Sequence, residues 1–188
     1  MLRIIGGKKK RIKLEVPERN VRPTSSIKKE AIFSILESHG MKNGFNIYEN
    51  NTFLDLFAGT GSLGLESISR GADFCFFYEI DKQVLKKLRI NCEKICLSNN
   101  YQIINKDIME ENFSEIKTNI SIIFIDPPYK LNKFDVILDN LHNSNLISKN
   151  TLIVIETNKE TLINVPDYLN IFDERVYGKT KISFINIV

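Results

Sequence analysis

The chain has little of what staples small secreted folds or builds metal modules: three cysteines (Cys75, Cys92 and Cys96) and two distant histidines among 188 residues. So odd and scattered a set gives no paired disulfide framework and no zinc-ligand spacing. Cys92 and Cys96 fall four apart on the apolar side of a helical pattern, which suits packing rather than redox chemistry. No stretch approaches the roughly 20 apolar residues that span a bilayer. The first residues lack the basic-then-apolar pattern of a secretion signal, and neither an internal repeat nor a low-complexity linker interrupts the chain. A cytoplasmic enzyme is the expectation. What is present is a composition 43% apolar, enough at this length to bury a full core in one globular domain with a small appendage.

The net charge of +3 conceals an uneven distribution. Residues 1–30 hold ten Lys/Arg and three Glu, and the remainder holds 16 basic and 20 acidic residues. A basic end is a nucleic-acid candidate, although a charge run alone also suits a solvated surface or a disordered tail. Its internal pattern argues for order. Leu2-Arg3-Ile4-Ile5 and Ile12-Lys13-Leu14-Glu15-Val16 are strand-like, and Gly6-Gly7 before Lys8-Lys9-Lys10-Arg11 reads as a hairpin loop whose tip can track phosphates. Arg3, Lys8, Lys9, Lys10, Arg11 and Arg22 are the candidate RNA contacts.

After an extended segment around Pro17 and Pro23, the spacing of Ile27, Ala31, Ile32, Ile35 and Leu36 predicts a helix. Those residues form its apolar face, and Lys28, Lys29, Glu30 and Glu37 the opposite one. Strand and helix then alternate: strands at 52–57, 74–79, 101–105, 120–125 and 151–156, helices at 62–69, 82–96 and 134–141, and a short helix near Phe113. Residues 171–177 and 182–188 read as a terminal hairpin around Gly178-Lys179. This is βαβ logic, a parallel sheet covered by helices on both faces.

Two motifs carry chemistry. Gly59-x-Gly61-x-x-Gly64 follows the first sheet strand, where glycines let the chain turn sharply and bring backbone N–H groups against a ligand. The fingerprint alone is weak. Glu79, at the end of the next strand, sharpens it, because an acid there accepts from both ribose hydroxyls. Asp107 is placed to accept from an adenine amino group with Ile108 packed on the ring, and Asp55 to meet the ammonium of a methionine tail. Phe57 is a candidate contact beside the same turn, equally suited to the core. Acids at strand ends also serve as plain turn or helix caps.

The second motif is Asp126-Pro127-Pro128-Tyr129, directly after the apolar strand Ile122-Ile123-Phe124-Ile125. Two prolines fix φ and remove two donors, leaving carbonyl oxygens free to face a ligand. Asp126 and the Pro127 carbonyl can accept the two N–H bonds of a planar amine and steer its lone pair, while Tyr129 stacks on the ring. A flipped or unpaired nucleobase bearing an exocyclic NH2 fits, and with the glycine turn this points to methyl transfer from S-adenosylmethionine. A purely structural Asp-Pro turn is the competing reading.

On these residues the chain resembles the class I S-adenosylmethionine-dependent methyltransferases. More narrowly, it resembles the bacterial small-subunit (16S) ribosomal RNA guanine-N2 methyltransferase family. The narrower likeness rests on residues 3–7 (Arg-Ile-Ile-Gly-Gly), Arg22-Pro23-Thr24, residues 29–36 (Lys-Glu-Ala-Ile-Phe-Ser-Ile-Leu), residues 55–61, Ser69-Arg70-Gly71-Ala72, residues 126–129 and Tyr177-Gly178. The resemblance implies a Rossmann-like α/β sheet with a C-terminal antiparallel hairpin. It implies a basic β-hairpin extension over residues 1–20 and a methyltransferase domain over 21–188. It further implies S-adenosylmethionine as cofactor, held by Asp55, Gly59, Gly61, Glu79 and Asp107. The target base would be held by Asp126, Pro127 and Tyr129, and the partner would be small-subunit ribosomal RNA or the assembled subunit, met by a monomer. Two positions depart from the family: Arg11 stands where a glycine is common, and Lys29 where an arginine is usual.

Other readings stay in view. An NAD-dependent oxidoreductase shares the glycine fingerprint and Glu79, yet no substrate domain follows and the acceptor motif is left unexplained. Methyl transfer to DNA or RNA adenine or to a protein glutamine keeps the chemistry and changes the substrate. A silent RNA-binding module leaves the intact acceptor motif without a purpose.

Overall fold

The computed structural model describes residues 2–17, 25–128 and 133–188. The elements are α1 (Ser26–Lys42), β1 (Thr52–Asp55), α2 (Ser62–Arg70), β2 (Phe74–Tyr78), α3 (Lys82–Ile95), β3 (Tyr101–Ile104), β4 (Ile122–Ile125), α4 (Phe134–Asn143), β5 (Leu152–Asn158), β6 (Leu169–Tyr177) and β7 (Thr180–Ile187). They build one seven-stranded sheet in the order β3-β2-β1-β4-β5-β7-β6. The strands from β1 to β5 pair in parallel, and β7 enters antiparallel between β5 and β6. The order reverses between β1 and β4, which opens a crevice at their carboxyl ends.

Alternation along the strands feeds two cores. Phe53, Phe77, Phe124 and Val154 face α1, α2 and α3. Leu54, Phe76, Ile123 and Ile155 face α4 and the segment between β3 and β4. The central parallel strands β4 and β5 are apolar on both faces for most of their length because both are covered. Cys75 and Cys92 are buried, and all three thiols are free. Among the described residues no helix is long and apolar enough to cross a membrane.

Three expectations from the sequence need correction. The segment around Phe113 forms turns, not a helix: the Glu111 side chain accepts from Phe113 N–H and the Asn112 side chain from Ser114 N–H. Such local side-chain bonds compete with helical ones. In α1, Ile27 is exposed, whereas Lys28 and Lys29 are buried with Ile32, Phe33 and Leu36. The apolar face is therefore rotated towards the lysines, and each is buried against an acid from another element: Glu156 on β5 and Glu66 on α2. The amino-terminal segment makes a single β-bridge, Arg3 opposite Lys13, in place of two full strands.

That segment nonetheless turns as expected. Ile4 N–H donates to the Ile12 carbonyl and Arg11 N–H to the Ile4 carbonyl. Leu2, Ile4 and Leu14 are buried in the same core as the sheet. The buried carboxylate of Glu66 accepts from the N–H groups of Ile5 (2.9 Å) and Gly6 (2.6 Å), and it pairs with Lys29 and Arg70. Gly7 has φ +71°, and a Cβ there would lie 1.8 Å from the Ser69 carbonyl oxygen, which accepts from Lys8 N–H. Only glycine allows that approach.

Candidate active site

The β1–α2 turn is built from its glycines. Gly59 and Gly61 have φ of +55° and +88°. A Cβ on Gly59 would come no nearer than 4.0 Å to another atom, the Phe57 carbonyl oxygen, so no side chain crowds that side of the turn. Gly64 has a different purpose: a Cβ there would strike the Phe77 ring and Cys75 Sγ, so it lets α2 pack directly on β2.

Three carboxylates hold or flank this turn. Asp55 is buried beneath it, and its Oδ2 accepts from Gly64 N–H at 3.1 Å. Burial pushes its carboxyl up to about 7; the Gly64 N–H opposes the shift and the nearby Glu79 reinforces it. Glu79, one position past β2, bridges the glycine turn and the start of α3, with Oε2 accepting from Gly59 N–H (2.9 Å) and Oε1 from Asp81 N–H (2.7 Å). Burial raises its carboxyl as well. Asp107 is exposed after β3, its Oδ1 accepting from Met109 N–H. Each of these carboxylates accepts from backbone N–H groups, which orients it around the turn.

Phe57, Glu79, Asp107 and Ile108 line one cavity of about 50 Å³, together with Leu56, Tyr78, Ile80 and Lys106. Four sequence candidates thus meet at one place. Tyr78 could not be singled out from sequence, since an aromatic in an apolar strand reads as core. Its hydroxyl is buried with no hydrogen-bond partner among the described residues. The cavity is smaller than an adenosine, but the carboxylates of Glu79 and Asp107 at its rim are acceptors of the kind that ribose hydroxyls and an adenine amino group require of S-adenosylmethionine's binding site.

Asp126 and Pro127 follow β4 directly, and β4 pairs with β1 through Phe124 opposite Asp55. Asp126 is half-buried, Pro127 buried and Pro128 exposed. The acceptor motif therefore stands at the switch point, next to the strand that carries the glycine turn. Tyr129 and Arg22 lie outside the described residues.

The basic candidates lie elsewhere. Arg3, Lys8, Lys9, Lys10 and Arg11 are exposed, and the tip is anchored to Ser69 at the carboxyl end of α2. That end is about 12 Å along the helix from the glycine turn, at 1.5 Å per residue. The returning arm reaches the cofactor end: the buried Asn91 of α3 accepts from Glu15 N–H and donates to the carbonyls of Glu15 and Thr60. The two clusters are thus joined through α2 and Asn91 without sharing a pocket. Arg11 has φ +76°, the left-handed region that favours glycine. The departure from the family's glycine falls on the residue whose backbone would use one.

A model of the family described as conserved hypothetical protein 95 matches residues 2–186. The ribosomal RNA small subunit methyltransferase D of Haemophilus influenzae is 31% identical, over 94% of this chain and 89% of that protein. A solved structure of a provisionally named Escherichia coli methyltransferase, yhhF, superimposes with a TM-score of 0.84 at 29% identity, covering 99% of this chain and 97% of that one. An RNA methyltransferase of Salinibacter ruber, solved with S-adenosyl-L-homocysteine, shares the fold at a TM-score of 0.64 and 14% identity, over 88% and 94% of the two chains.

Proposed function

The chain belongs to the conserved hypothetical protein 95 family, and from that premise and the geometry of the site we propose that it transfers a methyl group from S-adenosylmethionine to the exocyclic N2 of a guanine in small-subunit ribosomal RNA. The ribosomal RNA methyltransferase part of this reading is supported by the names of its relatives. The guanine N2 part is supported by the acceptor motif and by the family resemblance. The observation that carries the proposal is the position of Asp126-Pro127 at the end of β4, beside the strand that leads into the glycine turn.

When bound, the cofactor supplies an electrophilic methyl group. Glu79 holds the ribose hydroxyls, Asp107 the adenine amino group, Ile108 the ring face and Asp55 the ammonium of the methionine tail. Gly59 and Gly61 keep the turn free of side chains. On the acceptor side, the lone pair of an exocyclic amine is delocalised into the ring and nucleophilicity is poor. Asp126 and the Pro127 carbonyl accept its N–H bonds, turn the remaining lone pair towards the methyl group and disperse the positive charge that develops, which is discharged as the nitrogen gives one proton to the Asp126 carboxylate and from there to water. Tyr129 holds the base plane by stacking. Lys8, Lys9, Lys10 and Arg11 contact phosphates some distance from the reacting base, which suits a large folded RNA.

Incubating the protein with methyl-labelled S-adenosylmethionine and small subunits lacking the modification, followed by nucleoside mass spectrometry, tests this reading. N2-methylguanosine is the expected product. Label in N6-methyladenosine, or in protein, moves the activity to another planar amine and defeats the guanine assignment.

A further inference from the structure

Two buried side chains beside Asp126 have no place in the chemistry above. Ile125 of β4 pairs with Ile155 of β5, so Glu156 stands across from Asp126 one step further along, at an inter-strand spacing of about 4.8 Å. Phe124 and Val154 face the first core, and Ile125 and Ile155 the second. By alternation Asp126 and Glu156 both belong to the face covered by α1. Glu156 is only 5% exposed. Its Oε1 accepts from Lys28 Nζ in the first turn of α1. Its Oε2 is buried with no hydrogen-bond partner among the described residues.

A carboxylate oxygen withdrawn from water without a donor is costly, and a ligand that brings a donor relieves that cost. Asp126 and Glu156 on neighbouring strands, with Lys28 paired to Glu156, offer acceptor, acceptor and donor in turn. The pairing edge of guanine offers donor (N2–H), donor (N1–H) and acceptor (O6) in the same order. We propose that Glu156 and Lys28 select the target base, with Glu156 Oε2 accepting from guanine N1–H and Lys28 Nζ donating to O6 while Asp126 takes N2–H. Adenine carries an acceptor at ring N1 and an amino group in place of O6. It therefore sets lone pair against carboxylate and N–H against ammonium, and leaves Glu156 Oε2 without a donor. Pairing the two charges with each other before the base arrives lowers the cost of holding them ready in a buried site.

This inference rests on methyl transfer to guanine N2, and its test separates the two. Lys28→Met/Glu156→Leu replaces the pair by apolar groups of similar size, so the fold is retained without an orphaned charge. Wild type and variant are compared on small-subunit RNA transcribed with guanosine or with 6-thioguanosine, whose sulfur accepts poorly, and cofactor affinity is measured by calorimetry. The wild type should slow on the thio-substituted RNA. The variant should lose on the order of 100-fold in kcat/KM on ordinary RNA, bind the cofactor within twofold of wild type and be indifferent to the sulfur. Complete inactivity with cofactor affinity retained also supports base selection. A variant as fast as wild type overturns it, as does one slowed equally by the sulfur, or one that loses cofactor affinity in step with activity. If the wild type itself labels no guanine, the proposed function fails on its own.

Discussion

The half of this molecule proposed to hold the cofactor and the half proposed to hold the acceptor are built differently. Around β1, β2 and β3 the site is made by backbone geometry: glycines at positive φ, and carboxylates of Asp55, Glu79 and Asp107 that accept from neighbouring main-chain N–H groups. Around β4, β5, α1 and the amino-terminal hairpin, it is held by side-chain ion pairs that join residues far apart in sequence. Lys28 pairs with Glu156, and Glu66 gathers Lys29, Arg70 and two hairpin N–H groups. Backbone geometry of this kind suits a ligand that does not vary. Buried ion pairs fix elements relative to one another and confer specificity, at the risk that losing one partner strands the other.

The largest effect should come from stranding charges in the second half. Glu66→Ala leaves Lys29 and Arg70 without their shared carboxylate, and burial already pulls the Lys29 ammonium below its ordinary range. A loss of roughly 3–5 kcal/mol in denaturant-unfolding stability is expected. A loss below about 1 kcal/mol would mean that the hairpin is held by its apolar packing alone.

The first half should instead respond to pH through Asp55. Its folded value, raised to about 7 from a carboxylate's ordinary 3.8, means that the folded protein binds one more proton than the unfolded chain between those limits. The sign follows: this group's contribution makes the ligand-free protein less stable as pH rises from about 4 to 7. A ligand ammonium favours the ionised form, so cofactor affinity should weaken by up to tenfold per pH unit below 7 and flatten above it, with proton release on binding. Calorimetry in buffers of different ionisation enthalpy reads both, and Asp55→Asn should remove the dependence.

A smaller effect belongs to the hairpin tip. Replacing Lys8, Lys9 and Lys10 with Gln should reduce the salt slope of RNA binding by roughly one unit for each phosphate no longer neutralised, leaving cofactor affinity unchanged. An unchanged slope would remove the tip from the interface. The smallest effect is local: Arg11→Gly should relieve the positive φ and stabilise the protein by about 1 kcal/mol, read as a shift in unfolding midpoint without a change in slope.

Legibility in sequence follows the same division. The strand–glycine–helix turn, the acid closing β2 and the acid after β3 are encoded within a few residues of where they act. The cavity brings Phe57, Glu79, Asp107 and Ile108 together. The buried face of α1 is not legible in the same way, because a lysine reads as exposed unless its acid is known, and Glu66 and Glu156 lie 37 and 128 residues away from their lysines. Glu66 carries one local signal, an i,i+4 spacing to Arg70, but that pattern is usually a surface pair. The helix expected near Phe113 does not form because Glu111 and Asn112 satisfy the next turn's N–H groups themselves.

The central claim is that the two halves are separable, one holding the cofactor and the other the reacting amine. Asp126→Ala tests it most directly, by calorimetric titration with S-adenosylmethionine and by methyl transfer to unmodified small subunits on the same preparation. Cofactor affinity within about twofold of wild type and a loss of transfer of at least roughly 100-fold are expected. Transfer at the wild-type rate, or a loss of cofactor binding that matches the loss of transfer, would contradict it.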